Sequence, residues 1–261
     1  MDGQNSRNTD SIRLNKAISD SGFCSRRQAD TYIEKGLVTL NGKVAGLGDR
    51  VIPSDEIRVA GQLIKDKPKN VYIAFNKPIG VTTTTDSRIK GNVIDLLNLN
   101  ERVFYIGRLD KPSEGLLLLT NDGDIVNKIL RAGNEHEKEY LVEVNRPITD
   151  DFLQHMRKGV PILDTITKKC EVEKLSKRTF KIVLIQGLNR QIRRMCEALG
   201  YEVIALKRIR VMNVELGDLP VGKWRYLSDQ ELKGLQTAIK DSENRPYTDV
   251  LQKKLGKRRS R

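Results

Sequence analysis

One carboxylate and one run of arginines are the residues of this chain best placed to do chemistry. Asp110 stands in Gly107-Arg108-Leu109-Asp110, after a β-rich stretch and ahead of the apolar run Leu116-Leu117-Leu118-Leu119. A carboxylate at a strand end, on a backbone held by a tight turn, can face a cleft while its main chain stays rigid. An ionised acid so placed serves as base or nucleophile. An Asp there also serves simply to cap the turn or to pair with Arg108. The second feature is Gly187-Leu188-Asn189-Arg190-Gln191-Ile192-Arg193-Arg194-Met195. At about 100° per residue, Ile192, Met195, Cys196 and Leu199 share one helical face, which must be core, with Arg190, Arg194 and Glu197 opposite. Arg193 lies at the edge of the apolar stripe. A half-buried guanidinium needs an anionic partner, and Asp110 is the first candidate, a structural bridge to some other acid being the alternative. Tyr140 opens an apolar strand, where a phenol can stack on a base or move a proton; a core tyrosine with its hydroxyl at the rim is the plainer reading.

These side chains need elements to hold them. Alternating and fully apolar stretches predict strands over 71–75, 103–106, 116–120 and 140–144, and a strand pair over 165–175 and 179–185. Later strands are expected over 203–206 and 211–216. Helical spacing marks a helix around Ile125, Val126, Ile129 and Leu130, another after Thr149 with Phe152 and Met156 inward, one over 191–199 stopped by Gly200, and a last one capped by Ser228. Strands outnumber helices without strict βαβ alternation, so the class is α+β. The segment from Ile12 to Ile64 reads separately, as two helices followed by a small β unit. Ser25 with Gln28 forms a capping-box pattern, Gly36 suits a helix stop, and Asn41-Gly42 is a hairpin signal. Lys65-Asp66-Lys67-Pro68-Lys69 is a charged break between the two parts.

The chain has 261 residues, room for one large domain or two unequal ones. Mean hydropathy is −0.48, and 38% of residues are hydrophobic, enough to bury a core. No apolar run approaches the roughly 20 residues a spanning helix needs, and residues 1–10 are polar, so neither a membrane helix nor a secretory signal is expected. Cys24, Cys170 and Cys196 are far apart and odd in number, and His136 and His155 form no ligand pair, which argues against disulfides and zinc. A reducing, cytoplasmic compartment fits. Lys and Arg number 47 against 34 Asp and Glu, a net charge of +13. Such a surplus favours a polyanion, most often nucleic acid. The closing stretch QKKLGKRRSR carries Lys253, Lys254, Lys257, Arg258, Arg259 and Arg261 without an acid, a nucleic-acid arm or a solubilising tail. Arg13, Lys16, Arg26 and Arg27 line the polar faces of the first two helices. Arg190, Arg194, Lys207, Arg208 and Arg210 form a second basic wall, and Lys77 and Arg108 join the candidate nucleic-acid contacts.

The blocks Asn76-Lys77-Pro78-Ile79-Gly80, GRLDKPSEGLLLLTNDGD, KEYLVEV and QGLNRQIRRM occur in this order. Together they resemble the RsuA/RluB/RluE/RluF group of pseudouridine synthases. RLNKAISDSGFCSRRQADTYIEKGLVTLNGK is similar to an S4 RNA-binding domain, which that group carries. NKILRAGNEHEKEYLV and GVPILDTITKKC sharpen the likeness toward members that modify 23S ribosomal RNA. The resemblance implies a disordered stretch over 1–10, an S4-like domain over 11–66, a mixed, mainly antiparallel catalytic domain over 67–240 and a basic tail over 241–261. It makes Asp110 the catalytic aspartate, Tyr140 the active-site tyrosine and Arg193 the basic residue paired with the acid. It implies isomerisation of a uridine in 23S ribosomal RNA, with a tRNA as a second candidate substrate, no cofactor or metal, and a monomer. A non-catalytic S4-type RNA-binding or ribosome-assembly factor would share the S4 segment and basic tail; the trio Asp110, Tyr140 and Arg193 favours the enzyme. A glycosidase would need a second carboxylate, and Asp110 has no acidic partner in its motif.

Overall fold

The computed structural model describes residues 11–86, 88–99, 101–130, 134–240 and 242. The expected N-terminal stretch and, apart from Ser242, the expected basic C-terminal tail lie outside them. The chain divides into two compact units between Asn70 and Val71, immediately after the charged break.

The first unit contains β1 (Ile12–Arg13), α1 (Leu14–Asp20), α2 (Arg26–Glu34), β2 (Val38–Leu40), β3 (Lys43–Val44), β4 (Arg50–Val51), β5 (Ile57–Val59) and β6 (Gln62–Leu63). Ser25 caps α2 through a complete capping box with Gln28. Asn41 and Gly42 take φ of 51° and 80°, the turn that joins β2 to β3. Leu14, Ile18, Ala29, Ile33, Val38, Val51 and Val59 form the core of this unit. The helix faces left over carry Arg26 and Arg27 outward.

The second unit begins with β7 (Tyr72–Lys77), α3 (Val93–Leu97), β8 (Phe104–Ile106), β9 (Glu114–Thr120), α4 (Gly123–Leu130) and β10 (Lys138–Val144). It continues with α5 (Asp150–Lys158), β11 (Pro161–Ile162), β12 (Thr165–Ile166), β13 (Glu171–Lys174), β14 (Thr179–Leu184) and α6 (Gln191–Ala198). β15 (Val203–Val211), β16 (Val214–Glu215), β17 (Trp224–Tyr226) and α7 (Asp229–Ala238) complete it. Nine strands form one mixed sheet with the path β13-β14-β10-β15-β9-β7-β17, β16 pairing with β15 and β8 with β9. Its one parallel pair is β15 with β9; the other pairings are antiparallel.

The four leucines of β9 explain the centre of this sheet. Alternate side chains of a strand point to opposite faces. Leu116 and Leu118 enter a cluster with Ile125, Ile129, Val211 and Leu235, while Leu117 and Leu119 enter another with Phe75, Val93, Leu97 and Val103. A strand covered on both faces must be apolar throughout. A third cluster packs α5 and α6 on the other half of the sheet, through Phe152, Met156, Ile192, Met195 and Cys196 against Val142, Phe180 and Ile182.

Two expectations change. The strand expected over 165–175 is two pieces: β12 turns back on β11, and only β13 pairs with β14. The two strands expected around 203–216 are instead one nine-residue strand, β15, followed by the short β16. Residues 207–210, between the two expected strands, continue β15, with the Arg208 side chain buried and Arg210 bound by Glu137 and Glu139.

Candidate active site

Asp110 sits at the start of a turn that enters β9. The backbone N–H of Ser113 donates to the Asp110 carbonyl at 3.0 Å. Three buried or half-buried side chains grip this turn. The Thr83 hydroxyl donates to the Leu109 carbonyl at 2.7 Å. The Lys77 Nζ donates to the carbonyls of Pro78 and Ser113, each at 2.8 Å. Arg193 donates through Nη2 to the Pro112 carbonyl at 3.0 Å and the Ser113 hydroxyl at 3.2 Å, and through Nη1 to the Val203 carbonyl at 3.2 Å. The acid itself remains about one-third exposed, and the Arg190 Nη1 lies 3.7 Å from its Oδ2.

Arg190 is held at φ 51°, immediately before the first residue of α6. The left-handed region is uncommon for a side chain of this size. It lets the chain turn from the end of β14 into a helix whose inner face, Ile192, Met195 and Cys196, is fixed in the core. Arg190 and Arg193 therefore reach the Asp110 turn from one anchored element.

Tyr140 lies on β10, opposite Arg208 of β15. Its half-buried ring packs against the cluster that contains Leu109, the neighbour of Asp110. The Arg208 guanidinium carbon lies 6.0 Å from the ring centroid, at the outer reach of a cation–π contact.

The electrostatics of this region are dominated by buried cations. Burial pushes the Lys77 ammonium down to about 8, Asp110 and Glu114 pulling the other way and Arg208 adding to the fall. Burial, with Arg208 nearby, also brings Lys138 down to about 8. Arg193 is lowered by burial and by Arg190, against the attraction of Asp110. The Nε of Arg193 and the Nη2 of Arg208 have no hydrogen-bond partner among the described residues. Among those residues no group of three or more His, Cys, Asp or Glu side chains is placed to share a metal ion, and no helix is long and apolar enough to cross a membrane.

A search against family models matches the RNA pseudouridylate synthase family over residues 71–198 and the S4 domain over residues 12–57. The dual-specificity RNA pseudouridine synthase RluF of Escherichia coli O6:H1 is 56% identical over 253 residues, covering 95% of this chain and 87% of that protein. The chain belongs to the RNA pseudouridylate synthase family. It is an RNA pseudouridine synthase with an S4 domain. The ribosomal large subunit pseudouridine synthase B of Bacillus subtilis (strain 168) is 36% identical, covering 89% of this chain and 98% of its own. Among solved structures, one described as the crystal structure of pseudouridylate synthase matches with TM-score 0.65 and 27% identity, covering 86% of this chain and 99% of its own.

Within the family frame, several sequence expectations are corrected. Arg193 was expected to pair with Asp110; the ion pair is made by Arg190, and Arg193 is engaged by backbone carbonyls and the Ser113 hydroxyl of the same turn. Lys77 was expected to touch RNA, yet it is 0% exposed, with its ammonium held by two carbonyls. Arg208 was expected in a basic wall; it is 3% exposed and donates through Nε to the Leu116 carbonyl at 2.7 Å. Arg210, from the same wall, is neutralised by Glu137 and Glu139. Arg13, Arg26, Arg27 and Arg108 are exposed, and Arg194 and Lys207 are half-buried. Lys16 is half-buried, with its ammonium 2.6 Å from Asp20. Thr83 and Ser113 escaped the sequence reading altogether. Their only signal was position: a hydroxyl just after the Asn76–Gly80 turn and another three residues past the acid.

Proposed function

We propose that Asp110 is the carboxylate that drives uridine isomerisation in RNA, and that its substrate is 23S ribosomal RNA with a tRNA as second substrate. The observation that carries this reading is the convergence of Arg190, Arg193, Lys77 and Thr83 on the one turn that presents Asp110, within a family whose members isomerise uridine. The relative named dual-specificity supports two RNA targets, and that named for the large ribosomal subunit supports a ribosomal one.

In the reaction the N1–C1′ bond breaks, the uracil rotates, C5 joins C1′, the C5 proton leaves and N1 takes up a proton, so the composition is unchanged. Nothing is oxidised and no water is consumed. The uridine must first leave its stack, at a cost of a few kcal/mol. Cations offset that cost by holding phosphates: the exposed Arg13, Arg26 and Arg27 in the first unit, with Lys16 beside them, and in the second the exposed Arg108 with the half-buried Arg194 and Lys207. Tyr140 offers its ring as a stacking platform and its hydroxyl as acceptor for the C5 proton. Asp110 then acts on the ribose, attacking C1′ or taking the 2′ proton. The Arg190 guanidinium, 3.7 Å from the carboxylate, places a positive charge beside it. The protein works as a cytoplasmic monomer.

Carbodiimide mapping of pseudouridine in ribosomal RNA from cells lacking the protein tests this. One site should be lost, restored by the wild type and not by Asp110→Asn. Restoration by Asp110→Asn removes Asp110 from the chemistry. Deuterium at C2′ separates the two routes, since it slows only the one that breaks that C–H bond.

A further inference from the structure

One hairpin of the catalytic unit is closed by residues poorly suited to its backbone. β11 and β12 pair Pro161 with Ile166 and Ile162 with Thr165, so Leu163 and Asp164 are the whole loop. Both take positive φ, 49° and 58°. This two-residue turn favours Asn-Gly, the pair the first unit uses at Asn41-Gly42. A leucine in the left-handed region brings its Cβ against the following carbonyl. Burial does not repay that strain, since Leu163 is 45% exposed and Ile166 is 67% exposed.

The base of the hairpin is rigid. Ile162 is buried in the cluster that contains Ile192 and Met195 of α6. The Val160 N–H donates to the Thr167 hydroxyl at 2.9 Å, and the Thr167 N–H to the Val160 carbonyl at 3.1 Å. Gly159, at φ +106°, lets the two legs close, because a Cβ there would lie 2.3 Å from the Thr167 carbonyl oxygen. The backbone N–H of Lys168 donates to the Gln186 side chain. Gln186 opens the segment that ends at Arg190, the partner of Asp110. Lys158, at the end of α5, and Lys168 and Lys169, just past β12, are exposed where the chain enters and leaves the hairpin. Asp164 stands exposed at the tip, and Glu135 lies 3.1 Å from the Lys168 ammonium, which leaves Lys158 and Lys169 as the cations offered to a ligand.

We propose that this hairpin is a preformed finger for the RNA substrate, in which Leu163 and Ile166 pack on nucleobase faces while Lys158 and Lys169 hold neighbouring phosphates. The proposal rests on the RNA reading above. A flipped uridine leaves its neighbours unstacked, and aliphatic side chains inserted beside such bases cover their apolar faces. Exposed apolar side chains framed by lysines fit an RNA better than a protein groove, which would not need the cations.

Leu163→Asn combined with Ile166→Thr tests it. Asparagine suits the turn and threonine suits the strand, so the melting temperature should hold or rise. Binding and turnover are measured on an in vitro transcript of 23S ribosomal RNA. The double variant should raise both Kd and KM about tenfold, as loss of base stacking does, with kcat within about twofold of wild type. Unchanged Kd and KM overturn the finger, as does a lowered melting temperature with unaltered binding, which would make the tip structural. If wild type itself neither binds nor modifies the transcript, the reading of the substrate fails first, and the finger with it.

Discussion

The Arg190 guanidinium stands 3.7 Å from the Asp110 carboxylate, while Arg193, one helical turn further on, donates to the backbone and hydroxyl of the turn that carries the same acid. Two neighbouring arginines thus divide two tasks. Arg190 supplies charge to the acid, and Arg193 fixes where it points.

Asp110→Asn keeps the shape and the turn but removes the charge and the proton-accepting oxygen. RNA affinity should stay within about threefold, or rise through the loss of one negative charge facing phosphate, while turnover falls by ~10³ or more. Single-turnover assays on purified variant, with filter binding alongside, measure both.

Arg193→Met and Arg190→Met should part company. Arg193→Met strips donors from three acceptors, so unfolding free energy should fall by about 1–3 kcal/mol and activity with it. Arg190 is largely solvated, and its loss should cost under ~1 kcal/mol of stability. Its effect should appear instead in turnover, which should fall by about tenfold or more once the positive neighbour of Asp110 is gone. Urea melts and single-turnover rates of the two variants decide.

Lys77 and Lys138 have native pKa values lowered to about 8 by burial. The unfolded chain holds their protons to about pH 10.4. Between these limits the unfolded state binds more protons, so stability rises with pH. Below about pH 8 both lysines are charged in both states and the burial penalty is complete. Cys170 and Cys196, pushed up to about 11 and 12 by burial, act in the opposite sense at higher pH. Urea midpoints from about pH 7.5 to 9 should therefore climb, less so in Lys77→Met and Lys138→Met, and least in the double variant.

Gly115→Ala should be among the most damaging single substitutions in β9. Gly115 lies at φ +102°, and an added Cβ would stand 2.3 Å from the backbone oxygen of Arg208. The parallel junction of β9 and β15 would have to open, at about 3 kcal/mol or more. Thermal unfolding of the purified variant gives the number.

Much of the frame was legible because it follows from periodicity and caps. The leucine run, the Ser25 and Ser228 caps and the inner face of α6 are where the patterns put them. Lys77, Arg208 and Arg210 were misplaced because a basic residue reads as solvent-facing by type alone, and burial of each depends on acceptors far away in the chain, such as the Ser113 and Leu116 carbonyls or Glu137. The choice between Arg190 and Arg193 as partner of Asp110 turned on a left-handed φ at residue 190, which no helical wheel encodes. α3 and β17 are short, and each forms only against a distant strand or helix: the Trp224 indole donates to the Leu97 carbonyl at 3.1 Å.

The parallel contact between Gly115 and Arg208 joins positions almost a hundred residues apart. β15 is the strand shared by β9, which follows the acid, and β10, which carries the phenol. A nascent chain halted before Val203 therefore has both Asp110 and Tyr140 but not the strand that joins their elements. The helix–hairpin unit upstream of Asn70 makes its core from its own residues and has no such dependence. During translation, the S4 unit can thus complete its core well before β15 emerges to join the strands that flank Asp110 and carry Tyr140.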